Sequence, residues 1–488
     1  MKIKTLLERL EYTLLQGSLD AAITGISHDN RQVSPGDAFL CIAGARFDSH
    51  DFVADVAAKG AALIIVEKEV PMPEGVTIVK VESTRLAAPL LACAYYGYPA
   101  EKLITVGITG SKGKTTTTHM LADMLRAQGF ETGTIGTNGA IFGDKLFELN
   151  NSTPDPMEIQ MYLAMMVKHG CTHAVIEVSS QGMKQHRVDG FTFDYGIWTN
   201  ISEGDHIGGI EHKDFAEYLY CKAMLIEHSK LGFVFRDDPH TDALMKHITV
   251  PVRFFGYGEN SDCIIYHVEK TFENNTPGFT FSAKGDFAGD YAIHMPGTFN
   301  VTNAMAAVCV AEKLGVSNEA INEALAHLNI KGRIDMVYRG EKFSVCVDFA
   351  HNGYSTRNHL AALREFQPKR IVCVFGADGN RSKSRRYEMG EASGLLADFS
   401  IVTAGHNRYE TFEQILADIH VGLDKTGGAY IVIPNREDAI RYAIEHAEEG
   451  DLITIIGLGH ETYQEENGVK YPHSDTEFVK RVIKELGL

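Results

Sequence analysis

The sequence predicts an α/β fold built on parallel sheets, and three observations predict it. Short apolar runs of strand length alternate with stretches of helical periodicity, the pattern left by parallel strands joined through helices. One such run, residues 103–106, passes through a glycine-rich turn into a helical stretch, the strand–turn–helix context of a phosphate-binding loop. The chain has 488 residues, 44% of them hydrophobic and 23% charged. That is globular composition and length enough for roughly three domains, each with its own core.

The elements follow in order. Residues 1–100 read as short helices and strands with turns at Ser34-Pro35-Gly36 and Pro71-Met72-Pro73. Leu103-Ile104-Thr105-Val106 is a strand, and Gly107-Ile108-Thr109-Gly110-Ser111-Lys112-Gly113-Lys114-Thr115 is the turn after it. Met120, Leu121, Met124 and Leu125 then recur at helical spacing. Ala174-Val175-Ile176-Glu177-Val178 and Tyr195-Gly196-Ile197-Trp198 read as buried strands, residues 215–226 and 304–314 as helices. At Ile330-Lys331-Gly332-Arg333 the pattern breaks and restarts. Strands are expected over 343–347, 370–375, 399–403 and 452–456, separated by helical stretches. There is no internal repeat and no low-complexity tract.

Sixty-four acidic against 46 basic side chains give a net charge of −18. That excludes sequence-independent nucleic-acid binding and attachment to anionic membranes, which need a positive surface. It leaves room for a local basic pocket. The eight cysteines form no C-x-x-C pair, so neither a zinc ribbon nor a thioredoxin motif is expected. They read as reduced core thiols of a cytoplasmic protein. The N-terminus lacks a continuous apolar segment, so no signal peptide is expected. The longest apolar runs, such as residues 61–66, are strand-sized, so no membrane insertion is expected either.

The chemistry concentrates in a few places. Backbone N–H groups of the loop Gly110, Ser111, Lys112, Gly113, Lys114, Thr115, Thr116 and the helix start behind it can cradle phosphates. Lys114 would be the point charge and Thr115 a magnesium ligand. The Walker spacing puts glycine six residues before the lysine, but Ile108 stands there and glycine one earlier, so the loop is a variant. Its bland alternative is a glycine-rich helix entry with a solvated lysine. Glu177 sits near the carboxyl end of an apolar strand, where open parallel sheets bind ligands. It can ligate magnesium or be capped by its own turn. Lys222 falls on the helical face of Phe215, Tyr218, Leu219, Leu225 and Ile226. It either snorkels or needs an anionic partner, a lowered pKa or chemical change; a neutral amine can take up CO₂ as an anionic carbamate. His206 after Asp205 is a second metal ligand or a loop histidine. Asp348 and His351 lie at another strand end, where capping is the alternative. Arg381, Lys383, Arg385 and Arg386 form a basic cluster, read as a solvated charge run or an anion pocket. Gly457-Leu458-Gly459-His460-Glu461 follows the last strand.

Together these segments resemble the Mur ligase family, most closely the MurE type, the UDP-N-acetylmuramoyl-tripeptide synthetases. The resemblance runs from about Asp29 to about Tyr471. It rests on Thr109 to Thr116, Glu177-Val178-Ser179-Ser180, Thr199-Asn200-Ile201 with Asp205-His206, Tyr220-Cys221-Lys222-Ala223, Pro296-Gly297 with Phe299-Asn300 and Asn303, and Asp348-Phe349-Ala350-His351. Each block alone is weak; their order and spacing are specific.

The resemblance implies three domains: a UDP-substrate domain at 1–100, a central P-loop-type parallel-sheet ATPase domain at 101–330, and a C-terminal Rossmann-like amino-acid-binding domain at 331–488. It implies ATP and Mg²⁺ as cofactors, with Asn300, Asn303, Arg333 and Asp348 near the nucleotide. Glu177, His206 and a carbamylated Lys222 would hold metal. Asn30 and Arg31 would lie near the UDP. Ser152, Thr153, Ser179, Gln185 and Arg187 would hold the muramoyl-dipeptide. Arg381, Gly457 and Glu461 would contact the incoming amino acid, as would the loop His406-Asn407-Arg408. The implied reaction activates the terminal D-Glu carboxylate of UDP-N-acetylmuramoyl-L-alanyl-D-glutamate as an acyl phosphate, which the amine of a free diamino acid attacks. A monomer is the default expectation.

The sequence departs from the family in places. The Asp-Ser-Arg near the UDP is Asp29-Asn30-Arg31, and Gln181 stands where Glu-Val-Ser-Ser-His has histidine. Enzymes that use meso-diaminopimelate typically read Asp-Asn-Pro-Arg where this chain reads Gly405-His406-Asn407-Arg408. Arg408 stays in register, which slightly favours diaminopimelate over L-lysine. A folylpolyglutamate-type ligase with another acceptor, and a non-catalytic nucleotide-precursor binder, are the competing readings.

Overall fold

The computed structural model describes residues 1–44, 47–203, 207, 211–273, 276–328 and 334–488. The chain forms two compact units, Met1–Phe254 and Phe255–Leu488. This division falls inside the range 101–330 expected for the central domain.

The first unit carries two sheets. The smaller has the order Thr13–Gln16, Thr77–Lys80, Leu63–Val66, Ala38–Leu40, Ile26–Ser27. All its pairs are parallel except the edge strand Thr13–Gln16. Leu63–Val66 is apolar at every position and buried at every position, as a strand covered on both faces must be. Helix Thr84–Tyr95 of this layer packs on helix Pro156–His169 of the next. Gly190 permits close approach beside them: its φ is +96°, and a Cβ there would lie 3.0 Å from Cys93 Sγ and 3.1 Å from the Pro89 carbonyl.

The larger sheet runs Lys145–Phe147, Gly139–Phe142, Thr132–Gly136, His173–Glu177, Ile104–Thr109, Phe193–Trp198, Ser229–Phe235. From Thr132–Gly136 onward the strands are parallel, and the first two are antiparallel additions. Ile104–Thr109 is central. The chain leaves it through helix Lys114–Ala127 toward one edge and later returns to fill its other side with Phe193–Trp198. Its carboxyl end is therefore the topological switch point, where open α/β sheets bind ligands.

Strand Val252–Gly256 carries the chain into the second unit. There Cys263–Glu273, Thr276–Gly285 and Gly289–Ile293 make a long antiparallel ribbon, followed by helices Phe299–Lys313 and Asn318–Ala326. The last sheet has the order Asp335–Arg339, Phe343–Asp348, Asp451–Ile456, Arg370–Phe375, Phe399–Val402, Tyr430–Val432. Only its first strand is antiparallel. The strands expected at 343–347, 370–375, 399–403 and 452–456 are all present. Both edge strands and the hairpin Tyr463–Glu466/Val469–Pro472 were not expected.

Candidate functional site

The phosphate loop is shaped by contact as well as by composition. A Cβ on Gly110 would overlap Thr199 Oγ1, and Gly113 caps helix Lys114–Ala127 at φ +88°. Asn200 pins the loop from outside: its carbonyl accepts the Ser111 N–H at 2.9 Å and its Oδ1 accepts the Lys112 N–H at 3.0 Å. Ser111 Oγ lies 2.8 Å from the Tyr218 hydroxyl. Lys114 Nζ folds over the loop and donates to the carbonyls of Gly110 at 2.7 Å and Ser111 at 3.3 Å. A cation and a helix N-terminus thus face the same space, the requirement for holding a phosphate.

Glu177 ends the neighbouring strand with 1% exposure. Its carboxylate accepts the Thr137 N–H at 2.8 Å, Thr137 Oγ1 at 3.1 Å and Thr115 Oγ1 at 3.0 Å. Burial raises its pKa, and these neutral donors together with Lys114 offset that only in part. Gly136 leaves the room, since a Cβ there would overlap Glu177 Oε1. An oxygen ligand short of positive charge fits a divalent cation, so Glu177 and Thr115 suit magnesium.

Lys222, on helix Phe215–Glu227, is 1% exposed, so its ammonium does not snorkel to water. It lies 4.7 Å from the Tyr218 ring centroid. Lys114, Lys222, Ser152, Ser179, Gln185 and Arg187 line one cavity of about 320 Å³. Thr153 braces its wall: its hydroxyl donates to the Glu177 carbonyl at 2.9 Å and accepts the Ser179 N–H at 2.9 Å. Arg187 donates to the Thr153 carbonyl and to Gln185 Oε1, both at 2.7 Å. Three strand ends and the helices Lys114–Ala127 and Phe215–Glu227 therefore bring together a phosphate cradle, an undercompensated carboxylate, a buried lysine and hydrogen-bonding groups for a polar ligand.

Other expected residues lie elsewhere. Asn30 and Arg31 do not line this cavity. Arg31 is exposed and grips Asp29 through two bonds, at 2.9 and 2.8 Å, which hold that carboxyl well below the usual range. His206, Asp205 and Arg333 lie outside the described residues. Asn300 and Asn303 are buried and joined at 3.1 Å, with Asn300 donating to the Pro296 carbonyl at 2.8 Å. Asp348 accepts the N–H groups of Ile334 and Ala350, each at 2.8 Å, so one oxygen caps its own turn and the other ties in the segment before strand Asp335–Arg339.

In the second unit Asp348 ends one parallel strand, and Arg381, His406, Asn407, Arg408, Gly457 and Glu461 follow the carboxyl ends of the next three in the sheet. Arg381 is exposed. Gly379 lets two of these loops touch, because a Cβ there would overlap the Asn407 carbonyl. Arg408 Nη2 lies 3.4 Å from Asp378 and its Nε 3.9 Å from Glu465. His406 Nε2 lies 2.6 Å from Glu461 Oε2.

Sequence reasoning missed two groups. Buried His212 meets Ser180 Oγ at 2.9 Å and lies 3.8 Å from Glu217, which Lys184 pairs at 3.0 Å. No local pattern marks it; only its place before the Lys222 helix could have drawn notice. Arg386, placed in a basic run, is in fact 1% exposed and bound to Glu410 and Asp418.

Comparison with known proteins agrees with this geometry. Three family models match: the Mur ligase family catalytic domain at residues 22–96, the Mur ligase middle domain at 108–311 and the Mur ligase glutamate ligase domain at 332–459. The UDP-N-acetylmuramoyl-L-alanyl-D-glutamate–2,6-diaminopimelate ligase of Caldanaerobacter subterraneus subsp. tengcongensis is 34% identical over 487 residues, 99% of each chain. That of Geobacillus thermodenitrificans is 35% identical over 480 residues, 95% of each. A solved structure of a ligase of the same name superposes with TM-score 0.74 at 25% identity, covering 100% of this chain and 99% of the other. The fold is also shared with the MurF ligase of Thermotoga maritima in complex with ADP, at TM-score 0.59 and 20% identity, over 95% and 97% of the two chains. The chain belongs to the Mur ligase family and is an ATP-dependent ligase.

Proposed function

We propose that this ligase joins a diamino acid, meso-diaminopimelate ahead of L-lysine, to the D-glutamate of UDP-N-acetylmuramoyl-L-alanyl-D-glutamate in cytoplasmic peptidoglycan-precursor synthesis. One observation carries the reading: Lys114 and Lys222 line a single cavity with Ser179, Gln185 and Arg187, beside the Glu177–Thr115 pair. In that cavity a carboxylate can meet the γ-phosphate of a nucleotide held by Gly110 to Thr116. Lys114 neutralises charge on the phosphates as the carboxylate attacks. Arg187, Gln185 and Ser179 orient the dipeptide, and orientation supplies much of the rate because no protein nucleophile is needed. Glu177, Thr115, His206 and a carbamate on Lys222 would hold magnesium, which when bound supplies Lewis-acid stabilisation of the transferring phosphoryl group. The amine of the diamino acid then attacks the acyl phosphate and phosphate leaves. Amino-acid capture falls to the strand-end loops with Arg381, Arg408, Gly457 and Glu461. Asn30 and Arg31 belong with the uridine nucleotide, and Asn300, Asn303, Arg333 and Asp348 with ATP. Three functional domains, 1–100, 101–330 and 331–488, in a monomer complete the reading. Among the described residues no helix is long and apolar enough to cross a membrane.

The test is phosphate release with ATP, Mg²⁺ and the UDP-muramoyl dipeptide against meso-diaminopimelate, L-lysine, L-ornithine and lanthionine. Strong stimulation by diaminopimelate supports the reading. Stimulation by none of them, with ATP still bound, refutes it. Arg408→Ala should weaken the use of diaminopimelate far more than that of lysine; equal effects on both would remove its role toward a second carboxylate.

A further inference from the structure

We propose that His406 is a positioning residue: it does not take the amino acid itself but fixes the carboxylate of Glu461 that receives an amino group of it. The inference rests on the acceptor reading above and deepens it. His406 follows strand Phe399–Val402, and its side chain is 4% exposed. Both ring nitrogens are engaged. The backbone N–H of Glu465 points at Nδ1 at 3.0 Å, and Nε2 lies 2.6 Å from Glu461 Oε2.

These two partners decide the tautomer. A backbone N–H can only donate, so Nδ1 must present its lone pair. The ring proton then sits on Nε2 and is donated to the Glu461 carboxylate, which can only accept when ionised. The imidazole therefore works as a rigid spacer with an acceptor at one end and a donor at the other. Tyr463 packs against its face at 5.0 Å between centroids and limits rotation.

The spacer joins three segments that the chain delivers separately. The loop at 403–408 follows one strand, the turn at 457–461 follows another, and the hairpin Tyr463–Glu466/Val469–Pro472 stands beside both. The hairpin is registered to the loop by the Arg408 N–H donating to the Glu465 carbonyl at 2.9 Å and by the Asn467 N–H donating to the Arg408 carbonyl. Gln464 Nε2 adds bonds to the carbonyls of Ala404 and Gly405, both at 3.3 Å. His406 contributes to this register through the Glu465 N–H, and its Nε2 contact is the one that aims the Glu461 carboxylate. Glu461 keeps an accessible face, with 23% of its side chain exposed. A carboxylate offers about four acceptor positions and His406 uses one, leaving capacity for an ammonium group.

The test compares His406→Leu with His406→Gln. Leucine removes donor and acceptor alike. Glutamine keeps an amide N–H that reaches as far along the side chain as Nε2 and can donate to Glu461. His406→Leu should raise the KM for the diamino acid roughly ten- to a hundred-fold, the span of one hydrogen bond to a charged group, with the KM values for ATP and the UDP-substrate unchanged. His406→Gln should recover most of that loss. A rise in all three KM values, no rise at all, or a glutamine variant no better than leucine overturns the proposal. Independently of turnover, ¹⁵N spectra of histidine-labelled protein should show His406 protonated at Nε2, and protonation at Nδ1 overturns it. A wild-type enzyme that no diamino acid stimulates would refute the acceptor reading and the role of Glu461 with it, while the nitrogen signals still report the hydrogen bonds.

Discussion

Replacing Arg386 by methionine gives the sharpest test of how the amino-acid loops are held. The guanidinium donates to both oxygens of Glu410 at 2.8 and 2.6 Å, to Asp418 at 2.7 Å and to the Asp378 carbonyl at 3.2 Å. It thus ties the loop bearing Arg381 to the loop bearing Arg408. Methionine fills similar volume but leaves Glu410 and Asp418 facing each other. Lys383, 3.5 Å from Asp418, is 67% exposed and a weak substitute. Breaking a buried ion pair from one side costs about 3–5 kcal/mol. Glu410 retains 24% exposure, which favours the lower end, about 3 kcal/mol. For a unit of this size that is a fall in Tm of roughly 6–12 °C.

The pH dependence has a definite sign. The hydrogen bonds from Arg386 lower the Glu410 pKa to about 2, below the unfolded value of about 4.3. A lowered acid contributes stability in full above its unfolded pKa and loses it as the pH falls toward the folded one. Wild type and variant should therefore differ most at neutral pH and converge between about pH 4.3 and 2. Urea titrations across that range measure it. A neutral-pH difference under about 1 kcal/mol, or a difference that holds undiminished down to pH 2, refutes the reasoning.

Three further outcomes are expected. Gly110→Ala should weaken ATP binding at least about tenfold by calorimetry, because its Cβ overlaps Thr199 Oγ1 and must move the phosphate loop; an unchanged Kd would contradict this. Glu177→Gln should abolish turnover without lowering the melting temperature of the metal-free protein near pH 7. Burial raises this carboxyl, so ionising it in the fold costs stability above its unfolded pKa, and the amide removes that cost. A large fall in Tm would contradict it. Lys222→Ala should lower turnover by orders of magnitude while ATP still binds, with partial recovery on adding a small carboxylate. Wild-type activity in this variant would end the carbamate assignment.

Much of the site was legible because its parts are local in sequence. Strand, glycine turn and helix around Gly110 to Thr116 occupy one short segment, and Glu177 declares itself as a charge in an apolar strand. Lys222 was legible as an anomaly on an apolar stripe, though only the fold shows that it stays buried. What was not legible joins distant segments. His406 and Glu461 are 55 residues apart and meet because the loops after Phe399–Val402 and Asp451–Ile456 converge past the end of Arg370–Phe375, the strand between them. Arg386 sits in what reads as a solvated basic run, and only its partners Glu410 and Asp418 reveal a buried clamp. The ribbon Cys263–Glu273/Thr276–Gly285 escaped because a bulge between Tyr266 and Glu269, with His267 at φ +48°, breaks the alternation that marks a half-buried strand.

The central claim is that the cavity between Lys114 and Lys222 activates a carboxylate by phosphorylation, and isotope transfer tests it most directly. UDP-N-acetylmuramoyl-L-alanyl-D-glutamate labelled with ¹⁸O in its terminal carboxylate would be turned over with ATP, Mg²⁺ and meso-diaminopimelate, and the released phosphate weighed. An acyl phosphate predicts one ¹⁸O in each phosphate formed. Unlabelled phosphate alongside amide product would contradict the account.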